Sequence, residues 1–234
     1  MSAVVSARAG ARMAIARLQG RAAIAVAFVA LVVPIIVALV ERREATAGAS
    51  DRALSTVFRF VVPLLTFSLS QLPIGGKNLR DAVWPAARFG LHRGFVALGH
   101  VAVGGAAGAI ASLLAAVVAV LVARLGAPSG PSDMTLASDV VATIWIAPLV
   151  AFAYAAWFGL GATFGRSGGG RGYVLLADFL VGSLGVFGVL LPRGSAYNLI
   201  GLSAPLDVPQ RAASGVLVAV TIVCAAVCAL RCKR

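Results

Sequence analysis

From Gly94 to Ala123 the chain runs for thirty residues without a formal charge. A helix needs roughly 20 apolar residues to cross the hydrocarbon core of a bilayer, so this run exceeds a single perpendicular crossing and must tilt, kink or project beyond the membrane. We read it as one long helix. Two spans joined by a tight turn are the other reading, because Gly104, Gly105 and Gly108 would permit a break. Five more runs reach spanning length: approximately Ala22 to Val40, Leu54 to Leu72, Val140 to Phe164, Tyr173 to Leu191 and Ala213 to Leu230. The expected architecture is all-α, a polytopic membrane protein with six transmembrane helices.

Composition agrees, since a chain that is 60% hydrophobic and 12% charged has too little polar surface to cover a soluble globule. The net charge of +12 would suggest a nucleic-acid partner in a soluble protein, but the cations cluster at the ends of apolar runs, where they set membrane orientation. We expect no nucleic-acid binding. The first apolar run is longer than the roughly 7 to 15 residues of a signal-peptide core, so it is expected to be a retained helix despite the cleavage-like Ala45 to Ala47. Ahead of it, Arg8, Arg12, Arg17 and Arg21 mark residues 1–21 as an amphipathic, interfacial lead. Residues 22–230 form the six-helix domain and 231–234 a short tail.

Orientation follows from counting Lys and Arg in successive flanks. The N-terminal, second, fourth and C-terminal flanks carry thirteen, the alternate flanks six. The positive-inside rule then places both termini in the cytoplasm, with the inner membrane of the cell as the expected location.

This topology puts residues 78–94 in the longest inner loop. At helical spacing Arg80, Trp84, Arg88 and His92 fall near one face, while Leu79, Val83, Ala87 and Leu91 fall near another. Pro85 suits the first turn of a new helix better than a helix interior. The expected shape is a short surface helix ending near Trp84, a bend, and then the long third helix. The arginines either anchor the span at the headgroups or form an elbow that docks onto another protein.

The stretch "GGKNLRDAVWPAARFGLHRGFVALG" resembles the first cytoplasmic loop of type-two ATP-binding-cassette exporter permeases, in which a glycine and a leucine lead to a small P-x-x-R element. The matching residues are Gly76, Leu79, Pro85, Arg88 and Gly99. Where that family commonly has an acidic residue before the glycine and a hydroxyl before the arginine, this chain has Gln71, Leu72, Pro73 and Ala87. The resemblance implies a coupling helix, here Leu79, Arg80, Trp84, Pro85, Arg88 and His92, resting in a groove of a separate ATPase. It implies that ATP and magnesium bind to that partner, with no cofactor on this chain, and that the permease pairs with a second copy or a related permease. It also implies short re-entrant helices in the segment from Pro192 to Arg211; an ordinary loop anchored by Tyr197 is the other reading.

The chain carries no GxxxxGK[ST] element; "PIGGKN" lacks the earlier glycine and the hydroxyl. "GRSGGGRG" at 165–172 has the ingredients of a phosphate nest, though a linker or second docking contact is the preferred reading. Ionisable groups within the spans are few. Arg59 and Asp139 are expected near the outer face, where they would pair, and Asp178 in the inner third of the fifth span; these three are the candidates for a translocation path. His100 reads as a packed residue. Cys224, Cys228 and Cys232, four apart on the last helix, read as small apolar packing rather than a metal site.

An enzyme is disfavoured, because no span holds paired carboxylates at close helical spacing and no HExxH occurs. The expected function is the permease subunit of an ATP-driven exporter that moves a lipid-like or amphipathic substrate. A non-transport membrane assembly protein is the main alternative, an intramembrane enzyme the weaker one.

Overall fold

A computed structural model describes residues 2–44, 48–125, 136–165, 167–182, 184–201 and 206–233, and every regular element among them is helical. In chain order these are α1 (Ala3–Leu18), α2 (Arg21–Glu44), α3 (Ala49–Thr56), a π-helical turn (Val57–Val61), α4 (Val62–Gln71), a 3-10 turn (Leu72–Ile74), α5 (Leu79–Ala87), α6 (Arg93–Arg124), α7 (Leu136–Gly161), α8 (Gly170–Val181), α9 (Gly185–Val189), α10 (Pro192–Leu199) and α11 (Gln210–Lys233). Five stretches are long and apolar enough to cross a membrane: Arg21–Arg43, Ala49–Ala87, Arg93–Arg124, Ser138–Gly161 and Gln210–Lys233. This is the layout of a multi-pass membrane protein. Many large side chains, among them Ile24, Phe28, Ile110, Val141, Phe187 and Ile222, are exposed, as expected of surfaces whose solvent is lipid.

The uncharged run forms one unbroken helix, α6, and α1, α2, α4, α5, α7 and α11 all pack on it. Its glycines make this crowding possible. A Cβ at Gly99 would meet the Ala7 carbonyl of α1, and one at Gly10 of α1 would meet the Val96 carbonyl of α6. The lead helix therefore does not only lie on a surface. It buries Ser6, Gly10 and Ala14 against α6, keeps Arg8 and Arg12 exposed, and its Arg17 donates to the Pro73 carbonyl at 2.7 Å. Gly104 and Gly108 meet Ser70 and Thr66 of α4 in the same way.

Two expectations need correction. The apolar run from Tyr173 to Leu191 is not one helix. It divides into the twelve-residue α8 and the five-residue α9, and α8, at about 1.5 Å per residue, is only about 18 Å long. The glycines at 182, 185 and 188 explain the break, since glycine in a helix interior carries the largest backbone-entropy cost. They do not form a seam with another long helix; a Cβ at Gly188 would meet the Gly182 carbonyl and one at Gly194 the Gly188 carbonyl, so they let α8, α9 and α10 fold back on one another. The segment from Pro192 is likewise no surface loop, because all eight residues of α10 are buried.

The second correction concerns Pro85. It lies inside α5, not at the start of α6. The backbone bond it forfeits would have gone to the Asp81 carbonyl, and Asp81 and Pro85 are both on the exposed side of α5, where water can take that carbonyl. The bend comes later, at residues 88–92, where Gly90 adopts φ +69°.

One end of the bundle collects α5, the start of α6 and the ends of α7 and α11. Ile74, Leu79, Ala82, Val83 and Ala86 pack there with Val96, Ala97, Ala162, Cys228 and Cys232. At the opposite end Arg124, closing α6, pairs with Asp139, near the start of α7. α7 runs from the Asp139 end to the α5 end, and α11 starts beside Leu199 and finishes beside Thr163. The chain between α7 and α11 therefore crosses the bundle in three short pieces, α8, α9 and α10.

Candidate functional site

The densest polar cluster sits where those three pieces cross. Asp178 of α8 is fully buried. Its Oδ2 accepts from the Tyr154 hydroxyl of α7 at 2.8 Å, and its Oδ1 accepts from the Arg193 backbone N–H, at the first turn of α10, at 3.2 Å. The Arg193 guanidinium points elsewhere. Its Nε donates to the Tyr197 hydroxyl at 2.9 Å, one helical turn on, and its Cζ lies 4.4 Å from the centre of the Phe179 ring and 5.7 Å from that of Phe60. Phe60 and Phe179 stack with centroids 6.0 Å apart. A carboxylate, a guanidinium and two phenols thus meet inside the bundle, with the Phe179 and Phe60 rings leading from them to the surface, and hydrogen bonds offset part of the cost of burying the charges.

Arg59 extends this cluster to the surface. Its guanidinium lies 5.2 Å from the Phe60 ring, and the side chain is exposed. The π-helical turn that carries it has a local cause in Pro63. A regular helix would place the Pro63 ring against the Arg59 carbonyl, four residues back, with no N–H to offer it; widening the turn relieves the clash. The same turn sends Arg59 outward and Phe58 into the core. Beside Phe60 an apolar groove of about 320 Å³ runs between α2 and α4, lined by Val26, Val29, Val33, Phe60, Leu64 and Ser68.

Of the three path candidates, Arg59 and Asp178 therefore belong to one neighbourhood, bridged by Phe60, Phe179 and Arg193. Asp139 does not join them. Its partner is Arg124, at 2.6 Å, and not Arg59, because the end of α6 lies directly across from the start of α7. Tyr154 and Arg193 escaped the sequence reading as site residues, and Tyr197 entered it only as an interfacial anchor. The spacing of Arg193 and Tyr197, one turn apart, was the available signal; Tyr154, inside an apolar run, offered none until α7 met α8. His100 is buried, with Nδ1 3.0 Å from the Val96 carbonyl.

The second region is the end that carries α5. Asn78 caps the helix, its Oδ1 accepting from the Arg80 N–H at 2.9 Å. Leu79 is fully buried with Ala82, Val83 and Ala86, while Trp84, Pro85, Arg88 and His92 face outward. Arg88 lies 4.8 Å over the Trp84 ring, and Arg80 is half-buried beside Leu230 and Arg231 of α11. Of the six residues expected on the docking face, Leu79 instead anchors the helix inward, because its position continues the buried stripe of Ala82, Val83 and Ala86.

The first turn of α5 is tied to the junction of α7 and α8. The Leu79 N–H donates to the Ala162 carbonyl at 3.0 Å, and Asn78 Nδ2 donates to the Gly165 carbonyl at 2.6 Å. Arg171 donates to the Gly168 carbonyl through Nε and to the Lys77 carbonyl through a terminal nitrogen. That arginine is turned inward as a clasp and not toward a phosphate nest; Arg166 lies outside the described residues. Cys224, Cys228 and Cys232 are buried free thiols on α11, and Cys228 donates to the Gly159 carbonyl at 3.5 Å. Among the described residues no group of three His, Cys, Asp or Glu side chains is placed to hold a metal ion.

Comparison with protein-family models, with curated proteins and with solved structures finds no match to this chain.

Proposed function

We propose that this chain is the membrane-spanning permease subunit of an ATP-driven exporter, working in the inner membrane with a separate ATP-binding-cassette ATPase and moving a lipid-like or amphipathic substrate. The observation that carries the reading is the construction of α5. It offers an outward Trp84–Arg88 pair to a partner, and its first turn is hydrogen-bonded to the junction of α7 and α8. A push on α5 is thereby delivered to α8, which carries Asp178 into the buried cluster. The basic flanks place α5 and both termini in the cytoplasm, and α8 to α10 supply a sixth, broken crossing. Irregular backbone is tolerated at membrane depth where protein covers it. ATP and magnesium bind to the partner, and two permease chains pair to enclose the path.

The test is copurification of the ATPase followed by assay of its hydrolysis. With Arg88→Glu, hydrolysis or ATPase binding collapses while the membrane protein keeps its fold. Unchanged hydrolysis in that variant removes the role of α5. If no ATPase copurifies with the wild-type chain, an assembly role replaces transport.

A further inference from the structure

We infer that Arg59 and the groove between α2 and α4 form a binding site for an anionic phospholipid of the surrounding bilayer. One acyl chain lies along Val26, Val29, Val33 and Leu64, and the phosphate meets the Arg59 guanidinium.

Two observations converge on it. Arg59 is exposed and lies about 15 Å along the helix from Ala49, at about 1.5 Å per residue, inside a stretch long and apolar enough to cross a membrane. An ionisable side chain there is costly unless it has a partner or reaches the interface, and it marks a functional position by default. The groove begins beside it, at Phe60, and follows α2 and α4 toward the α5 end with a wall almost wholly apolar. Behind Phe60 stands Arg193, 5.7 Å from that ring and shielded from solvent; the Asp178 carboxylate sits against it, so that buried pair balances itself and leaves Arg59 as the cation beside the groove.

The negative partner does not come from a second copy of the chain. Eight acidic residues exist. Glu41 binds Thr56 and Arg52, Asp139 binds Arg124, and both Asp178 oxygens are taken by Tyr154 and Arg193. Asp51 and Asp81 lie in the first turns of α3 and α5, Asp207 precedes α11, Glu44 closes α2, and the sequence places Asp133 in the connection between the third and fourth spans. Among the described residues no carboxylate lies against the Arg59 guanidinium. A guanidinium presents a planar fork that matches phosphate oxygens, and an amphiphile with an anionic head supplies both halves of what the site offers. Binding stands without the transport reading; naming this phospholipid class as the cargo rests on it.

The experiment uses the full-length chain, purified in neutral detergent, stripped of lipid and titrated with phosphatidylglycerol or phosphatidylcholine of identical acyl chains, with adducts counted by native mass spectrometry. The wild type retains several times more phosphatidylglycerol than phosphatidylcholine. Arg59→Gln brings the two to parity, and Leu64→Trp, which fills the groove, lowers both. Arg8→Gln, at a distant exposed arginine, leaves the preference as it was. A wild-type preference that survives in Arg59→Gln, or lipid retention unaffected by Leu64→Trp, overturns the site. So does loss of a dimer in Arg59→Gln with lipid retention intact, which would assign Arg59 to a contact between copies. Because no ATPase enters this assay, its failure is distinct from failure of the coupling test. Lipid selectivity together with an inert Arg88→Glu would leave the lipid site and remove the role of α5; lipid selectivity with no copurifying ATPase would leave a lipid site on a protein that is not a permease.

Discussion

The Tyr154 hydroxyl donates to the Asp178 carboxylate across 2.8 Å, joining α7 to α8 inside the bundle with both residues fully buried. A second tie joins the same two helices, the Trp157 indole N–H donating to the Val174 carbonyl at 3.0 Å. The short α8, α9 and α10 depend on such contacts, because each is too brief to be stable by its own hydrogen bonds.

Tyr154→Phe removes that donor and leaves Asp178 Oδ2 facing apolar neighbours. The expected loss is about 1.5–3 kcal/mol, the range for a hydrogen bond to a charged group. It is read as a lower midpoint of thermal unfolding, followed by size-exclusion chromatography in detergent. Asp178→Asn, which keeps the volume and one of the two acceptor oxygens, should lose less than Asp178→Leu. Equal stability of all three variants would show that the cluster does not hold the broken crossing in place.

The Arg124–Asp139 pair closes the opposite end at 2.6 Å, with Asp139 almost fully covered. Asp139→Ala and Arg124→Gln are each expected to destabilise, and the double variant by less than their sum, with a coupling of about 0.5–3 kcal/mol. Strict additivity in a double-mutant cycle would mean the ion pair contributes nothing.

Close approach of α1 to α6 depends on Gly10. Gly10→Leu drives a side chain into the Val96 backbone, an overpacking that costs typically about 1–3 kcal/mol. It should lift α1 from the bundle before anything else yields. Trypsin should then cut after Arg8 and Arg12 several-fold faster than in the wild type. Unaltered cleavage would place α1 elsewhere in the working protein.

Sidedness follows from two exposed positions at opposite ends, Ser167 and Asp207. In a background with Cys224, Cys228 and Cys232 changed to alanine, Ser167→Cys should react with an impermeant thiol reagent only from the cytoplasm, and Asp207→Cys only from outside. The reverse pattern inverts the orientation and removes α5 from the reach of any cytoplasmic partner.

What the sequence determined is the helical, membrane-spanning character of the chain and the continuity of α6. In hydrocarbon every backbone group must find its partner within its own segment, so length and apolarity alone identify a helix. The stripe of Leu79, Val83 and their neighbours was equally legible, because it follows from helical periodicity. Where the sequence fell short, the missing information was which helices lie side by side. Arg59 and Asp178 were recognisable as unusual, but their neighbourhood arises only when α4, α8 and α10 pack together around Phe60 and Phe179. Asp139 was visible and its partner was not, since Arg124 is set opposite it by the return of α7 along α6. The division of the fifth apolar run was decided the same way. Its glycines weaken a continuous helix, and it was the packing of α8 on α7 and of α9 on α10 that settled the folded-back path.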